Sequence, residues 1–350
     1  MSLSIGNKIK LTVFGTSHGP EVGAILEGLK AGIEINYEFL KHQMNLRKAK
    51  GNLTTSRIES DEVKITSGIE NGITTGEPIT FVIENNNVRS KDYNTDILRP
   101  SHADYMAYLK YEGKYDMRGG GQFSGRLTAP IVAAGSVVID YLKGLGIHVG
   151  SHLYSVHNVY DDETQNIKEA IDKWNDLDFP TNSIDKAELM KNEIIKAKEM
   201  NDSVGGIVET FVLLNNNIVG SPVFGSLESK LANYLFSIGG VKGIEFGLGF
   251  EMTGKYGSEV NDEYYIEDGE IKQYSNNNGG ILGGIAGPFP VSFKTAFKPT
   301  PSISKTQRTV DVRKMENVKY QINGRHDPAI VTRSRVVVDS LTALAIIDML

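Results

Sequence analysis

Arg99 to Arg126, RPSHADYMAYLKYEGKYDMRGGGQFSGR, is the stretch around which the rest of the chain reads most coherently. It carries four cationic side chains of functional type, Arg99, His102, Arg118 and Arg126, and three glycines in succession, Gly119, Gly120 and Gly121. Consecutive glycines cost backbone entropy and contribute no packing, so they mark a place where the main chain must pass unusually close to another group. Arginines beside such a loop hold a carboxylate or phosphate through paired N–H donors. The stretch therefore reads as an anion site.

The segment on its C-terminal side sets the fold. Leu127 to Tyr141 is small and apolar around most of a helical circumference, with Ala129, Ala133, Ala134 and Gly135, and such a helix is buried rather than amphipathic. Pro130 belongs in a first turn, which places the helix start near Arg126 or Leu127. The glycine loop thus delivers its contents to a helix N-terminus, where free N–H groups and the positive end of the dipole suit phosphate. The apolar run Leu127–Leu142 is shorter than the ~20 residues that span a bilayer and contains Asp140, so it reads as a core helix.

Working outward, Lys8–Gly15 and Val22–Leu29 read as strands of a hairpin joined by FGTSHGPEVG, with His18 in the turn. Asn36–Leu46 has helical spacing and runs into LRKAKGNLTTSR, which reads either as a solvated basic loop or as an anion-binding loop. Glu62–Ile69 and Ile79–Ile83 are strands flanked by turn residues. Beyond the central helix, Tyr160–Met200 is charged and reads as a peripheral segment with a helix at Ile184–Met200. Asn201–Leu214 turns at Gly205-Gly206 into a strand; Ser226–Phe236 has helical spacing; Val291–Phe297 is a strand leading into KPTPSIS. GRHDP (Gly324–Pro328) precedes a terminal apolar helix at Val336–Leu350.

The 350 residues leave one or two domains open on length alone, and no repeat, low-complexity tract or linker divides them. A net charge of -6 argues against a general nucleic-acid binder and favours a local basic cluster serving a small anion. With no cysteine, disulfides and thiolate metal sites are excluded, which fits a reducing cytoplasm. The N-terminus has no secretory pattern.

Among seven histidines, His18, His102 and His326 stand beside Gly, Pro or Arg in turn-like contexts suited to proton transfer. No HExxH occurs, so no dedicated zinc site is expected. A Walker A loop is absent, and GTSHG matches the GxSxG form without the helix that a nucleophile elbow requires. Residue chemistry alone reaches an anion-binding, acid–base site able to take a phosphorylated cofactor, without naming a substrate.

FGTSHG, RSKDY, RPSHADY, RGGG with a following S-x-R, DSVGG, GIEFGLGF, GGILGGI, KPTPS and GRHDP occur here in the order that characterises chorismate synthases. The chain resembles that family over nearly its whole length. The resemblance implies an α+β fold with helices packed between two antiparallel sheets, a single domain over residues 1–350, and a homotetramer. It implies a lyase that eliminates phosphate from 5-enolpyruvylshikimate-3-phosphate in a 1,4-anti sense to give chorismate, the last step of the shikimate pathway, using reduced FMN with no net redox change. By resemblance, His18 protonates the departing phosphate, His102 donates to reduced flavin near N1, and Asp327 helps move the proton at N5. Arg47, Arg57, Arg99, Arg126 and Arg325 match substrate-holding positions. Gln122, Phe123, Ser124, Gly239, Gly240, Gly283, Lys298, Pro299, Thr300, Pro301, Ser302 and Arg325 match flavin-binding positions, and no metal is implied. Gln122 stands where the family usually has Arg, Phe123 where it has Ser, and Leu127 where it has Glu, while the RRRPG-like run becomes Arg47-Lys48-Ala49-Lys50-Gly51.

The resemblance leaves open whether NADPH reduces the flavin on this protein or an external flavin reductase supplies it; the compact length leans toward the second. Two other classes compete. One is a non-catalytic flavin- or anion-binding relative, motivated by Gln122, Phe123 and Leu127. The other is a nucleic-acid module stacking bases on Tyr105, Tyr108, Tyr111 and Tyr115, which the negative charge disfavours.

Overall fold

The computed structural model describes residues 3–54, 60–86, 96–116, 118–322 and 326–350, with Asn52 described for its backbone only. Five strands near the N-terminus, β1 (Ser4–Ile5), β2 (Lys10–Gly15), β3 (Glu21–Glu27), β4 (Lys64–Ser67) and β5 (Ile79–Glu84), form a sheet in the order β1-β2-β3-β5-β4. Every pairing in it is antiparallel. A second antiparallel sheet contains β6 (His148–Val156), β7 (Val159–Tyr160), β8 (Gly206–Leu213), β9 (Val241–Phe246) and β10 (Val291–Phe297), in the order β9-β10-β8-β6-β7.

Between the sheets lie α1 (Tyr37–Arg47), α3 (Thr128–Gly144) and α7 (Val331–Ile347), while a short helix α2 (Asp104–Lys110) lies in the central loop. Helix α3 packs on β3 and β5, α7 packs on β6 and β8, and the two helices pack on each other. The residues of β5 and β10 alternate between buried and less buried along the strand, as expected when one face of a sheet meets a helix layer. The expected sandwich of helices between two antiparallel sheets is the observed fold.

The small residues of α3 have a definite purpose at its crossing with α7. A Cβ placed on Gly135 would lie 2.2 Å from the Cβ of Ser340, so only glycine allows the two backbones to approach this far. The segment Arg118–Gly144 is long and apolar enough by composition to cross a membrane, yet its most apolar window is 67% buried inside the fold. The regular helix within it is α3, Thr128–Gly144, a core helix.

One expectation needs correction. The segment after Tyr160 is more than peripheral: α4 (Ile167–Asn175) covers the outer face of the second sheet, and α5 (Ile184–Glu199) packs against β6 and β7 with Met190 and Ile194 in the main core. Ile171 and Trp174 of α4 are buried against Phe211, which is why β6 is buried on both faces. Trp174 stacks at 4.6 Å on His152, whose ring nitrogens reach Asp161 at 2.8 Å and Glu209 at 2.9 Å. The abundant charge of this segment hid an amphipathic face carrying few but large apolar residues.

At the far end, α6 (Leu227–Leu235) packs on α7. The carboxylate of Asp348 accepts from the Asn7 and Ile9 backbone N–H groups at 2.9 and 2.8 Å, and from the side chains of Lys230 and Tyr234. That knot fixes the chain's two ends to each other and to α6, closing the sandwich.

Candidate active site

A cavity of ≈ 1290 Å³ opens where the glycine loop, the end of α1, the KPTPS loop and the start of α7 converge. That exceeds the roughly 300–1,000 Å³ of a typical single-ligand pocket, leaving room for two ligands side by side. Among its described lining residues, seven are basic (Arg47, Lys48, Lys110, Arg126, Lys242, Lys298, Arg333) and two are carboxylates (Asp61, Asp327). Such a balance favours polyanionic ligands.

The glycine loop is built as its sequence requires. Gly119, Gly120 and Gly121 have φ of 60, 88 and 54°, a left-handed path that side-chain-bearing residues rarely follow in succession. A Cβ on Gly119 would lie 2.0 Å from the His18 ring, and one on Gly121 2.3 Å from the Tyr115 hydroxyl. The loop is therefore pressed against the β2–β3 turn. Buried Ser17 donates its hydroxyl proton to the Gly119 carbonyl at 3.2 Å, and its oxygen lies 3.2 Å from His18 Nδ1. Ser17 Oγ thus ties the His18 ring, through Nδ1, to the carbonyl edge of the glycine loop. Asn85 holds the same turn, donating to the carbonyls of Thr16 at 3.0 Å and Gly19 at 2.9 Å, and its own oxygen accepts from Arg126 Nε at 2.8 Å.

His102 is oriented by Asp104. The carboxylate accepts from His102 Nδ1 at 2.7 Å and from Arg99 through Nε at 2.8 Å and Nη2 at 2.7 Å. Burial works against the charge of Asp104, but hydrogen bonds from His102 and Arg99 outweigh it and hold its pKa well below the usual carboxylate range. The cavity wall beyond is aromatic. Gln122 gives its backbone N–H to Tyr115 and its side-chain amide to Tyr111, two rings stacked at 4.8 Å, and Phe123 meets Tyr115 edge-on at 6.1 Å.

On the opposite side Lys298 donates to the Ser101 carbonyl at 2.7 Å, tying the KPTPS loop to the histidine loop. Burial, and then the neighbouring Lys242, lower the Lys298 pKa. Thr300 has a buried hydroxyl oxygen with no hydrogen-bond partner in a wall that also presents Gly239, Gly240 and Ser302. An orphaned buried hydroxyl in a wall that also carries Lys242 and Lys298 is a donor set suited to an anionic group. Asp327 accepts from Arg333 Nη1 at 2.9 Å, and burial pushes the pKa of the adjacent His326 down.

The cavity thus brings together His102, Asp327, Arg47, Arg126, Gln122, Phe123, Ser124, Gly239, Gly240, Lys298, Thr300, Pro301 and Ser302. Of the described candidates, His18, Arg99, Pro299 and Gly283 do not line it. His18 lies against Gly119, and Arg99 is reached through Asp104. Gly283 lies between two short strands, Ile281–Leu282 and Ile285–Ala286, next to Gly284, which abuts Ser221 and Ser226. Arg57 and Arg325 lie outside the described residues, as does the RSKDY motif. Arg47 is not a loop residue: it ends α1, is buried, and pairs with Asp61 at 3.1 Å. Among the described residues no cluster of histidine and carboxylate side chains could hold a metal ion.

Sequence reasoning missed Asp61, Asn85, Asp104, Lys242 and Arg333. Asp104 had a signal, an acid two residues after His102; the others meet their partners only through the fold.

A family profile for chorismate synthase matches residues 9–350. The chain belongs to the chorismate synthase family. It is 41% identical over 353 residues to the chorismate synthase of Methanobrevibacter smithii, covering 99% of this chain and 96% of that one. Against the chorismate synthase of Pyrococcus abyssi it is 42% identical over 345 residues, covering 98% and 96%. A crystal structure of chorismate synthase superposes with a TM-score of 0.76 at 27% identity, covering 99% of this chain and 92% of that one. Members of this family are lyases, and the profile covers all of the cavity's lining except Leu3, Ser4, Ile5 and Gly6.

Proposed function

We propose that this cavity converts 5-enolpyruvylshikimate-3-phosphate to chorismate and inorganic phosphate, with reduced FMN as cofactor. The observation that carries the reading is the convergence of a carboxylate-oriented His102, Asp327 and a wall whose charged residues are mostly basic on one cavity large enough for substrate and flavin together. FMN fits the residues present. Lys298, Lys242, Ser302 and the orphaned Thr300 hydroxyl suit its phosphate, and Tyr111 and Phe123 offer planar faces to its ring.

The chain's own residues then have separable tasks. Arg47 and Arg126, with Arg57, Arg99 and Arg325 as further candidates, hold the substrate's carboxylates and phosphate and fix the ring's orientation. A proton on the departing phosphate oxygen lowers the barrier to C–O cleavage, and His18 is the donor proposed for it. Its Nδ1 lies 3.2 Å from Ser17 Oγ, and the form that donates is the protonated imidazolium, which returns to the neutral ring as phosphate takes the proton. His102, with Nδ1 on Asp104, has Nε2 left to donate toward the flavin ring. Asp327 receives or relays the proton whose loss from the substrate completes the elimination. Reduced FMN, when bound, supplies the transient electron that lets phosphate leave without net redox change. The lysine–threonine corner and the aromatic wall orient that cofactor and exclude water.

A homotetramer, a cytoplasmic setting, and flavin reduction either by NADPH or by an external reductase belong to the same proposal. A second reading, a flavin-binding relative without turnover, rests on Gln122, whose donors go to Tyr115 and Tyr111. The test is anaerobic incubation of the pure protein with substrate and chemically reduced FMN. Chorismate formation supports the reading; flavin binding with no chorismate at high enzyme concentration selects the second.

A further inference from the structure

The cavity wall contains an ordered relay of charges that none of the proposed roles requires. Arg333, in the first turn of α7, donates Nη1–H to Asp327 Oδ2 at 2.9 Å and Nε–H to the Arg47 carbonyl at 2.9 Å, at the end of α1. Arg47 in turn donates Nη1–H to Asp61 Oδ2 at 3.1 Å, and the other oxygen of Asp61 accepts from Arg126. All five residues line the cavity. They come from the C-terminal end of α1, the loop before β4, the helical turn before α3, and the loop and first turn of α7.

Two members, Asp61 and Arg333, join the residues to which the chemistry is assigned. The Asp61 side chain is 2% exposed and bridges two guanidinium groups, and its backbone adopts a φ of 47° to reach them. Burial opposes its charge, yet Arg47 and Arg126 outweigh that and lower its pKa. Arg333 is 25% exposed and spans from the carboxylate proposed for proton transfer to the helix that ends in Arg47.

We propose that Arg333 and Asp61 are positioning residues: Arg333 aims Asp327, Asp61 aims Arg47 and Arg126, and the chain Asp327–Arg333–Arg47–Asp61–Arg126 acts as one unit that fixes the proton-handling carboxylate relative to the substrate-holding arginines. The assignment rests on the proposed roles of Asp327, Arg47 and Arg126. A purely structural ion-pair set would lower stability without separating the kinetic constants or coupling the two ends.

The experiment is a double-mutant cycle on Asp61→Asn and Arg333→Met, read in kcat, KM and, separately, in the affinity for inorganic phosphate measured by calorimetry. Arg333→Met lowers kcat about fifty-fold or more with KM changed less than about three-fold, as for a group acting through a transition-state residue. Arg333→Lys retains at least about ten-fold more turnover than Arg333→Met. Asp61→Asn raises KM about ten-fold or more. The double variant falls short of the product of the single effects by about five-fold or more, in kcat/KM and in phosphate affinity. Multiplicative effects in both readouts, or an Arg333→Met enzyme with unchanged kcat, overturn the proposal. Should Asp61→Asn fail to fold, Asp61→Glu replaces it, with the same rise in KM expected and an unchanged KM counting against. If the wild-type protein forms no chorismate, the proposed function fails, and the phosphate cycle alone decides whether the five residues act as a unit.

Discussion

Asp104 accepts a hydrogen bond from His102 Nδ1 at 2.7 Å, and this contact decides which nitrogen of the histidine is left for chemistry. The same carboxylate grips Arg99 through two guanidinium nitrogens, so a single buried acid orients both a proton donor and a cation. Asp104→Asn removes the charge while keeping the shape. It is expected to lower kcat by about 10²-fold, because general acid–base groups contribute typically 10²–10⁴-fold. Steady-state kinetics with reduced FMN measures it, and a kcat within two-fold of wild type contradicts the role.

His102→Ala and Asp327→Ala are each expected to depress kcat far more than they raise KM, since both groups are proposed to act in the transition state rather than in ground-state binding. Initial-rate measurements on the two variants check this, with substrate affinity measured independently by calorimetry.

Lys298 and Lys242 line the cavity together and are the cations proposed for the FMN phosphate. Lys298→Ala should weaken FMN binding by about ten-fold or more while leaving riboflavin, which lacks the phosphate, within about two-fold. Equal losses for the two flavins in fluorescence quenching would move the phosphate site elsewhere.

The helix crossing gives a stability prediction. Gly135→Val drives a side chain into Ser340, and overpacking of this kind typically costs about 1–3 kcal/mol, more where backbone must move. The urea midpoint of Gly135→Val should fall, and Ser340→Gly added to it should recover part of the loss.

His152 supplies a pH signature. Burial opposes its protonation, but the hydrogen bonds to Asp161 and Glu209 prevail and raise its pKa above the ordinary histidine value of 6.5. A group whose pKa is raised on folding stabilises fully below its unfolded value and loses that contribution as pH climbs through the folded one. Stability should therefore decline from about pH 6.5 upward, and His152→Gln should flatten that slope. Chemical denaturation at a series of pH values decides it; parallel curves for the two proteins would refute the assignment.

The layered fold was legible where periodicity and burial coincide. The small, uniformly apolar run around Ala133–Gly135 reads as a buried helix because no polar face interrupts it, and Gly135 against Ser340 explains the choice of residues. The alternation in β10 and the β2–β3 hairpin were equally visible. Helix α4 was not, since Ile171 and Trp174 are its only buried residues in a charged background. At the site, motif residues such as His102 and Lys298 could be named from the sequence alone. Their supports could not. Asp61 meets Arg126 from 65 positions away, and Arg333 meets the Arg47 carbonyl from 286, separations at which sequence carries no pairing signal. Gly283 shows the converse, a motif glycine that the fold places outside the cavity.

Elimination of phosphate from the enolpyruvyl substrate in this cavity is tested most directly by a stopped-time anaerobic reaction of the wild-type protein with substrate and reduced FMN. Phosphate and chorismate are quantified together, beside an Asp327→Ala control. Equimolar phosphate and chorismate from the wild type, with both products strongly reduced in the control, is the expected result. Phosphate released without chorismate, or equal product from the control, would contradict it.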